Sequence, residues 1–166
     1  VIELHAFDDS RAQAGALAKA VSGALGASLA ASLNARATLA VSGGTSPRPL
    51  FEALAIEPLD WARVDVTLVD DRWVPETDAA SNARLVRETL LTHAASAARF
   101  APLVDVSVPL EARIAALNAD TSYALPNVAV LGMGEDGHTA SIFADAPAHE
   151  WVHALQTSDR YVAVHP

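Results

Sequence analysis

Three short β-prone runs constrain this chain more than any other feature. Thr38 to Val41 and Val128 to Leu131 are almost continuously apolar, and Val64-Asp65-Val66-Thr67-Leu68-Val69 is rich in β-branched residues. A strand with one face in water alternates apolar and polar side chains. A continuous run needs cover on both faces, the situation of parallel strands joined by helical crossovers. Helix-like segments fall between the runs: Leu50 to Leu54, a stretch from Ser81-Asn82 to about His93, and Pro109 to about Asn118. The alternation predicts βαβ units, hence an α/β domain with a mostly parallel sheet, helices on both faces and right-handed crossovers. At 166 residues, with no linker-like tract or repeat, residues 1–166 are expected to form a single domain.

The ends of the chain extend this pattern. Ile2 to Phe7 alternates enough for a short strand, and Asp8-Asp9-Ser10 offers capping chemistry for an alanine-rich helix reaching Leu33. Leu17, Val21, Leu25, Leu29 and Leu33 form its apolar stripe, with Gly23 and Gly26 as places where it can bend. Tyr161 to Val164 reads as a last strand.

In an open parallel sheet, ligands bind beyond the carboxyl ends of the strands, where loops and helix N-termini converge. Each of the three runs ends there in an unusual loop. The first, Ser42-Gly43-Gly44-Thr45-Ser46-Pro47, has the chemistry of an anion cradle, with glycines for close backbone approach, two hydroxyls and Arg48 as a two-pronged donor. Its plainer reading is a strand-to-helix turn. The second, Asp70-Asp71-Arg72, places an arginine where either aspartate can orient it, or else is a solvated surface pair. The third, Gly132-Met133-Gly134-Glu135-Asp136-Gly137-His138, brings a histidine, the side chain that titrates near neutrality, beside carboxylates that can fix its tautomer.

Charge and composition narrow the ligand. Twenty acidic against eleven basic residues, a formal charge of −9, oppose broad contact with nucleic acid or anionic lipid. An anionic small molecule therefore needs a local pocket such as the first loop. With no cysteine, no disulfide or thiolate site is available, and no apolar run approaches the ~20 residues of a membrane span. A soluble, cytoplasmic protein is expected. Asp136 and His138 are conceivable metal ligands, but their spacing matches no zinc pattern, so no metal is expected. Gly132-x-Gly134-x-x-Gly137 matches dinucleotide spacing but lies late in the chain without a ribose-binding acid to follow. Neither Ser42 nor Ser141 sits in a Gly-x-Ser-x-Gly elbow, which leaves direct water attack ahead of a serine nucleophile.

The stretches Val41-Ser42-Gly43-Gly44-Thr45-Ser46-Pro47, Val69-Asp70-Asp71-Arg72-Trp73-Val74-Pro75 with Ser81-Asn82, and Leu131 through Phe143 resemble, in order and approximate separation, the three signature regions of 6-phosphogluconolactonases. The first is shared in looser form with glucosamine-6-phosphate deaminases and ribose-5-phosphate isomerases. The resemblance implies a Rossmann-like sheet and hydrolysis of a phosphosugar lactone, 6-phosphoglucono-δ-lactone, to 6-phosphogluconate in the oxidative pentose phosphate pathway, with no cofactor. His138 would activate water and Arg72 would meet substrate charge, with Asp70 also among the catalytic residues. Gly43, Gly44, Thr45, Ser46 and Arg48 would hold the phosphate, and Asn82, Gly134 and Asp136 would lie at the substrate. The family's second region usually reads Asp-Glu-Arg, so Asp71 has an arm one methylene shorter. Such enzymes also usually continue for some tens of residues past the equivalent of Pro166, and a C-terminal strand and helix are expected to be missing here. The alternatives on the same architecture are a phosphosugar deaminase or isomerase, and a sugar-phosphate binding module without turnover. The residues leave the oligomeric state open.

Overall fold

The computed structural model describes residues 2–122, 125–143 and 145–165. Its elements run α1 (Ser10–Leu29), β1 (Ala37–Val41), α2 (Arg48–Leu54), β2 (Val64–Leu68), α3 (Asn82–Thr89), β3 (Arg99–Ala101), α4 (Leu110–Ala119), β4 (Val128–Val130) and α5 (Ala148–Gln156), with 3-10 turns at Trp61–Arg63 and His93–Ala97. The strands form one parallel sheet in the order β3-β2-β1-β4. Every residue of β1 and β2 is buried, so both faces of the central pair are covered, as their composition requires. The edge strands β3 and β4 are three residues each and only partly buried.

Helix α1 starts where Asp9 accepts the N–H of Ala12 at 2.7 Å and runs unbroken for 20 residues through Gly23 and Gly26. Its buried stripe is Ala14, Ala18, Val21, Leu25 and Leu29. Leu17 is partly exposed and Leu33 lies beyond the helix end, 94% exposed, so the expected four-residue repeat is displaced at both ends. A strict repeat of four drifts around a helix of 3.6 residues per turn, and the small Ala14 and Ala18 allow close approach on the true buried face. Helices α1 and α2 pack on each other, and α1 also meets β1 and β4. Trp61, Phe51, Leu25, Leu39 and Leu54 are the largest fully buried side chains, which sets the core around β1, β2 and these two helices.

Two expected strands are absent. Ile2 to Phe7 and Tyr161 to Val164 carry no regular structure, and Ile2 and Leu4 are almost fully exposed. Alternation makes a segment fit for a sheet, but a strand exists only where a neighbour pairs its N–H and C=O groups. Among the described residues, no helix is long and apolar enough to cross a membrane.

Away from the loops of interest, the Asp65 carboxylate of β2 is 3% exposed and gripped by Arg36 (2.6 Å) and Arg99 (2.7 Å). Burial by itself raises this carboxyl, but the hydrogen bonds and charges of Arg36 and Arg99 together hold it below its usual value. A depressed folded-state pKa stabilises the fold above the unfolded-state value of roughly 3.9 and ceases to do so as pH falls through the folded value. Asp65→Asn should therefore cost about 2 kcal/mol at pH 7, with a difference that shrinks below pH 4 in urea titrations. An undiminished difference in acid contradicts the assignment.

Candidate functional site

From β1 the chain proceeds outward through β2 to β3, then crosses back to place β4 on the other side of β1. The strand order thus reverses between β1 and β4, and the crevice beyond their carboxyl ends is where open α/β sheets receive ligands. Val41 is paired with both Leu68 and Val130. The three loops consequently leave the sheet side by side, within two strand spacings, about 10 Å.

Direct bonds tie these loops together. Ser42 donates its hydroxyl to the carbonyl of Val130 at 3.1 Å and accepts the N–H of Gly132 at 3.2 Å, which staples the first loop to the third. Gly43 lies against the side-chain amide of Asn82, so close that a Cβ there would overlap it. Asn82 is buried, and its amide donates to the carbonyl of Asp70 at 2.9 Å. One residue of helix α3 therefore registers the first loop against the second.

Asp71 is committed to backbone. Its carboxylate accepts the N–H groups of Asn82 (2.7 Å), Arg72 (2.9 Å) and Ala83 (3.2 Å), while the Ser81 hydroxyl accepts that of Arg84. Together they close the N-terminus of α3. Burial pushes the Asp71 carboxyl above its usual value against those three bonds, and the charge of Asp70 adds to the rise. The expected orientation of the Arg72 guanidinium by an aspartate does not occur. The Arg72 guanidinium donates instead to the carbonyl of Ala80 at 3.0 Å and is exposed. The Asp71 carboxylate is taken up by backbone N–H groups at the start of α3, and that of Asp70 accepts from the Ser141 hydroxyl.

In the third loop, His138 Nδ1 lies 2.5 Å from Asp136 Oδ1, the His138 ring stacks on Phe143 at 4.7 Å between centroids, and the His138 N–H bonds the same Asp136 oxygen at 3.2 Å. The hydrogen bond from the imidazole, then that from the backbone, hold the Asp136 carboxyl below its ordinary range. A Cβ on Gly134 would collide with both partners, so glycine is required for the pair to form. With Nδ1 as donor to Asp136, Nε2 is left as the proton acceptor. Among the described residues no further histidine, aspartate or glutamate joins this pair in a group suited to a metal ion.

The first loop beyond Gly43 is open. Gly44, Thr45, Ser46 and Arg48 are exposed, and its one internal bond joins the Arg48 N–H to the carbonyl of Thr45 at 3.3 Å. A cavity of about 700 Å³ is walled by Asp70, Arg72 and Phe143 and by Leu110, Ile114 and Leu117 of α4. Its wall includes neither His138 nor the first loop. Ser141 also reaches this wall and hydrogen-bonds Asp70 Oδ2. In the sequence Ser141 and Ser42 were weighed as nucleophiles and set aside; their observed partners lie 71 and 88 positions away, which no local pattern encodes.

The family model for glucosamine-6-phosphate isomerases/6-phosphogluconolactonase matches residues 8–166. A 6-phosphogluconolactonase of Pseudomonas putida is 48% identical over 149 residues, and one of Rhizobium meliloti 48% over 144. These alignments take in 88% and 84% of this chain, which spans about 60% of the length of either relative. A crystal structure of a 6-phosphogluconolactonase from Shewanella baltica superposes with a TM-score of 0.87 at 39% identity, covering 96% of this chain and 68% of that one.

Proposed function

Because the chain belongs to the glucosamine-6-phosphate isomerase/6-phosphogluconolactonase family, we propose that it hydrolyses 6-phosphoglucono-δ-lactone to 6-phosphogluconate. The observation that carries this reading is the His138–Asp136 pair, stacked on Phe143 beside the β1–β4 crevice. In this reading the phosphate sits on the loop Gly43 to Ser46 with Arg48, and the lactone carbonyl faces His138. Nε2 takes a proton from water as the water oxygen bonds to the carbonyl carbon. Arg72 and loop N–H groups meet the resulting oxyanion. When the ring C–O bond breaks, the imidazolium returns its proton to the departing ring oxygen, and the acid product ionises in solvent. Asp136 holds the tautomer throughout. A δ-lactone is an activated ester, so help on the order of a few kcal/mol suffices.

Acid release from freshly prepared lactone, followed in a weakly buffered indicator assay, tests the reading on this chain. Acceleration over the spontaneous rate, without ammonia release from glucosamine 6-phosphate, is expected. Ammonia release favours the deaminase alternative. Calorimetric binding of 6-phosphogluconate with no acceleration favours a binding module.

A further inference from the structure

We infer that Ser141 is a positioning residue, whose hydroxyl holds the Asp70 carboxylate and thereby locks the His138 loop onto the second loop. The inference rests on the hydrolysis reading of the site and adds to it a residue that neither the motif chemistry nor the proposed steps employ.

The geometry around Ser141 is costly and directed. Thr139 and Ile142 exchange backbone hydrogen bonds, Ile142 N–H to Thr139 O at 2.8 Å and Thr139 N–H to Ile142 O at 3.3 Å. The two residues between them, Ala140 and Ser141, both have left-handed backbones, with φ of 49° and 62°. Such a turn strongly favours asparagine, aspartate or glycine, and Ala-Ser has none of them. Strain of this kind persists where the surroundings over-determine it, and it gathers at functional sites. Here three contacts impose it. His138 and Phe143, flanking the turn, stack on each other; the Thr139 hydroxyl bonds the carbonyl of Gly132; and at the apex the Ser141 hydroxyl bonds Asp70 Oδ2.

Asp70 is the natural target for such a tie. Its neighbour Asp71 is engaged with the start of α3, and its own carbonyl is held by Asn82. The backbone of the second loop is thus anchored from below, while the Asp70 carboxylate is oriented from above by a donor on the histidine loop. A hydroxyl bonded to a charged carboxylate is among the stronger neutral donor contacts. Without it, no hydrogen bond among the described residues connects the Asp70 side chain to the loop that carries His138, and the base is free to drift relative to the cavity wall formed by Asp70 and Arg72.

Two variants of the full chain separate this role from fold maintenance. Ser141→Ala removes the hydroxyl and leaves the backbone demand unchanged. Ala140→Gly relaxes the turn and keeps the hydroxyl. For Ser141→Ala, kcat on the lactone should fall at least about tenfold with KM within about twofold, the split expected when positioning and not binding is lost. Amide exchange across residues 138–143 should accelerate by about tenfold, as loss of one charge-assisted bond predicts. Ala140→Gly should match the unsubstituted chain in turnover and exchange no faster. Unchanged exchange in Ser141→Ala overturns the inference, as does faster exchange with undiminished kcat, which reduces the bond to a structural one. A chain inactive on the lactone defeats the hydrolysis reading instead, and the exchange comparison then decides the tie by itself.

Discussion

Replacing His138 with asparagine is expected to lower lactone turnover by about a thousandfold, within the range that a positioned general base contributes. Asparagine retains a donor for the Asp136 carboxylate, which now accepts from His138 Nδ1 at 2.5 Å, but offers no basic nitrogen in place of Nε2. The loop therefore keeps its shape while the proton acceptor disappears. KM should change little, because the phosphate is assigned to the loop after β1 and not to the histidine loop. Asp136→Asn should fall between the two, since an amide no longer dictates which ring nitrogen carries the proton. Steady-state kinetics at matched Tm checks the series. Turnover by His138→Asn equal to that of the unsubstituted chain would remove the imidazole from the mechanism.

The largest effect on stability at the site is expected from Gly43→Ala. The added methyl has to occupy the space of the Asn82 amide, and Asn82 cannot yield easily, being buried with its backbone N–H on Asp71 and its side chain on the Asp70 carbonyl. Overpacking of this kind costs about 2 kcal/mol, and activity should fall with it because the first and second loops separate. Asn82→Ala creates a gap at the same point. The double variant Gly43→Ala, Asn82→Ala should then be more stable than the sum of the single losses by about 1 kcal/mol, the signature of two residues sharing one space. Denaturant midpoints for the four proteins provide the measurement, and strict additivity would show that the two side chains do not compete.

Much of the sheet was legible because burial on both faces leaves a local trace. The runs at Thr38, Val64 and Val128 became β1, β2 and β4, and capping residues marked the starts of α1 and α3 at Asp9 and Ser81. Strand β3 was not foreseen: Arg99-Phe100-Ala101 is too short to show a period, and it joins the sheet only because β2 presents an open edge. Helix α5 was missed although local signals mark it, with Pro147 at its start, Glu150 in its first turn and His153 in its last. The opposite error, strands at Ile2 to Phe7 and Tyr161 to Val164, arose because alternation reports fitness for a sheet and says nothing of a partner.

The site divides along the same line. Residue types with fixed chemistry, the glycines that admit a crowded neighbour, the carboxylate that accepts and the imidazole that titrates, were decided by the sequence alone, because those capacities belong to the side chains themselves. Which partner each one meets was decided only by the tertiary structure. Asp71 caps α3 while Arg72 turns to Ala80, Ser42 staples β1 to β4, and Ser141 reaches Asp70 across 71 positions. Such pairings depend on strand order and register, which bring remote loops to one edge, and no property of a single residue encodes that adjacency.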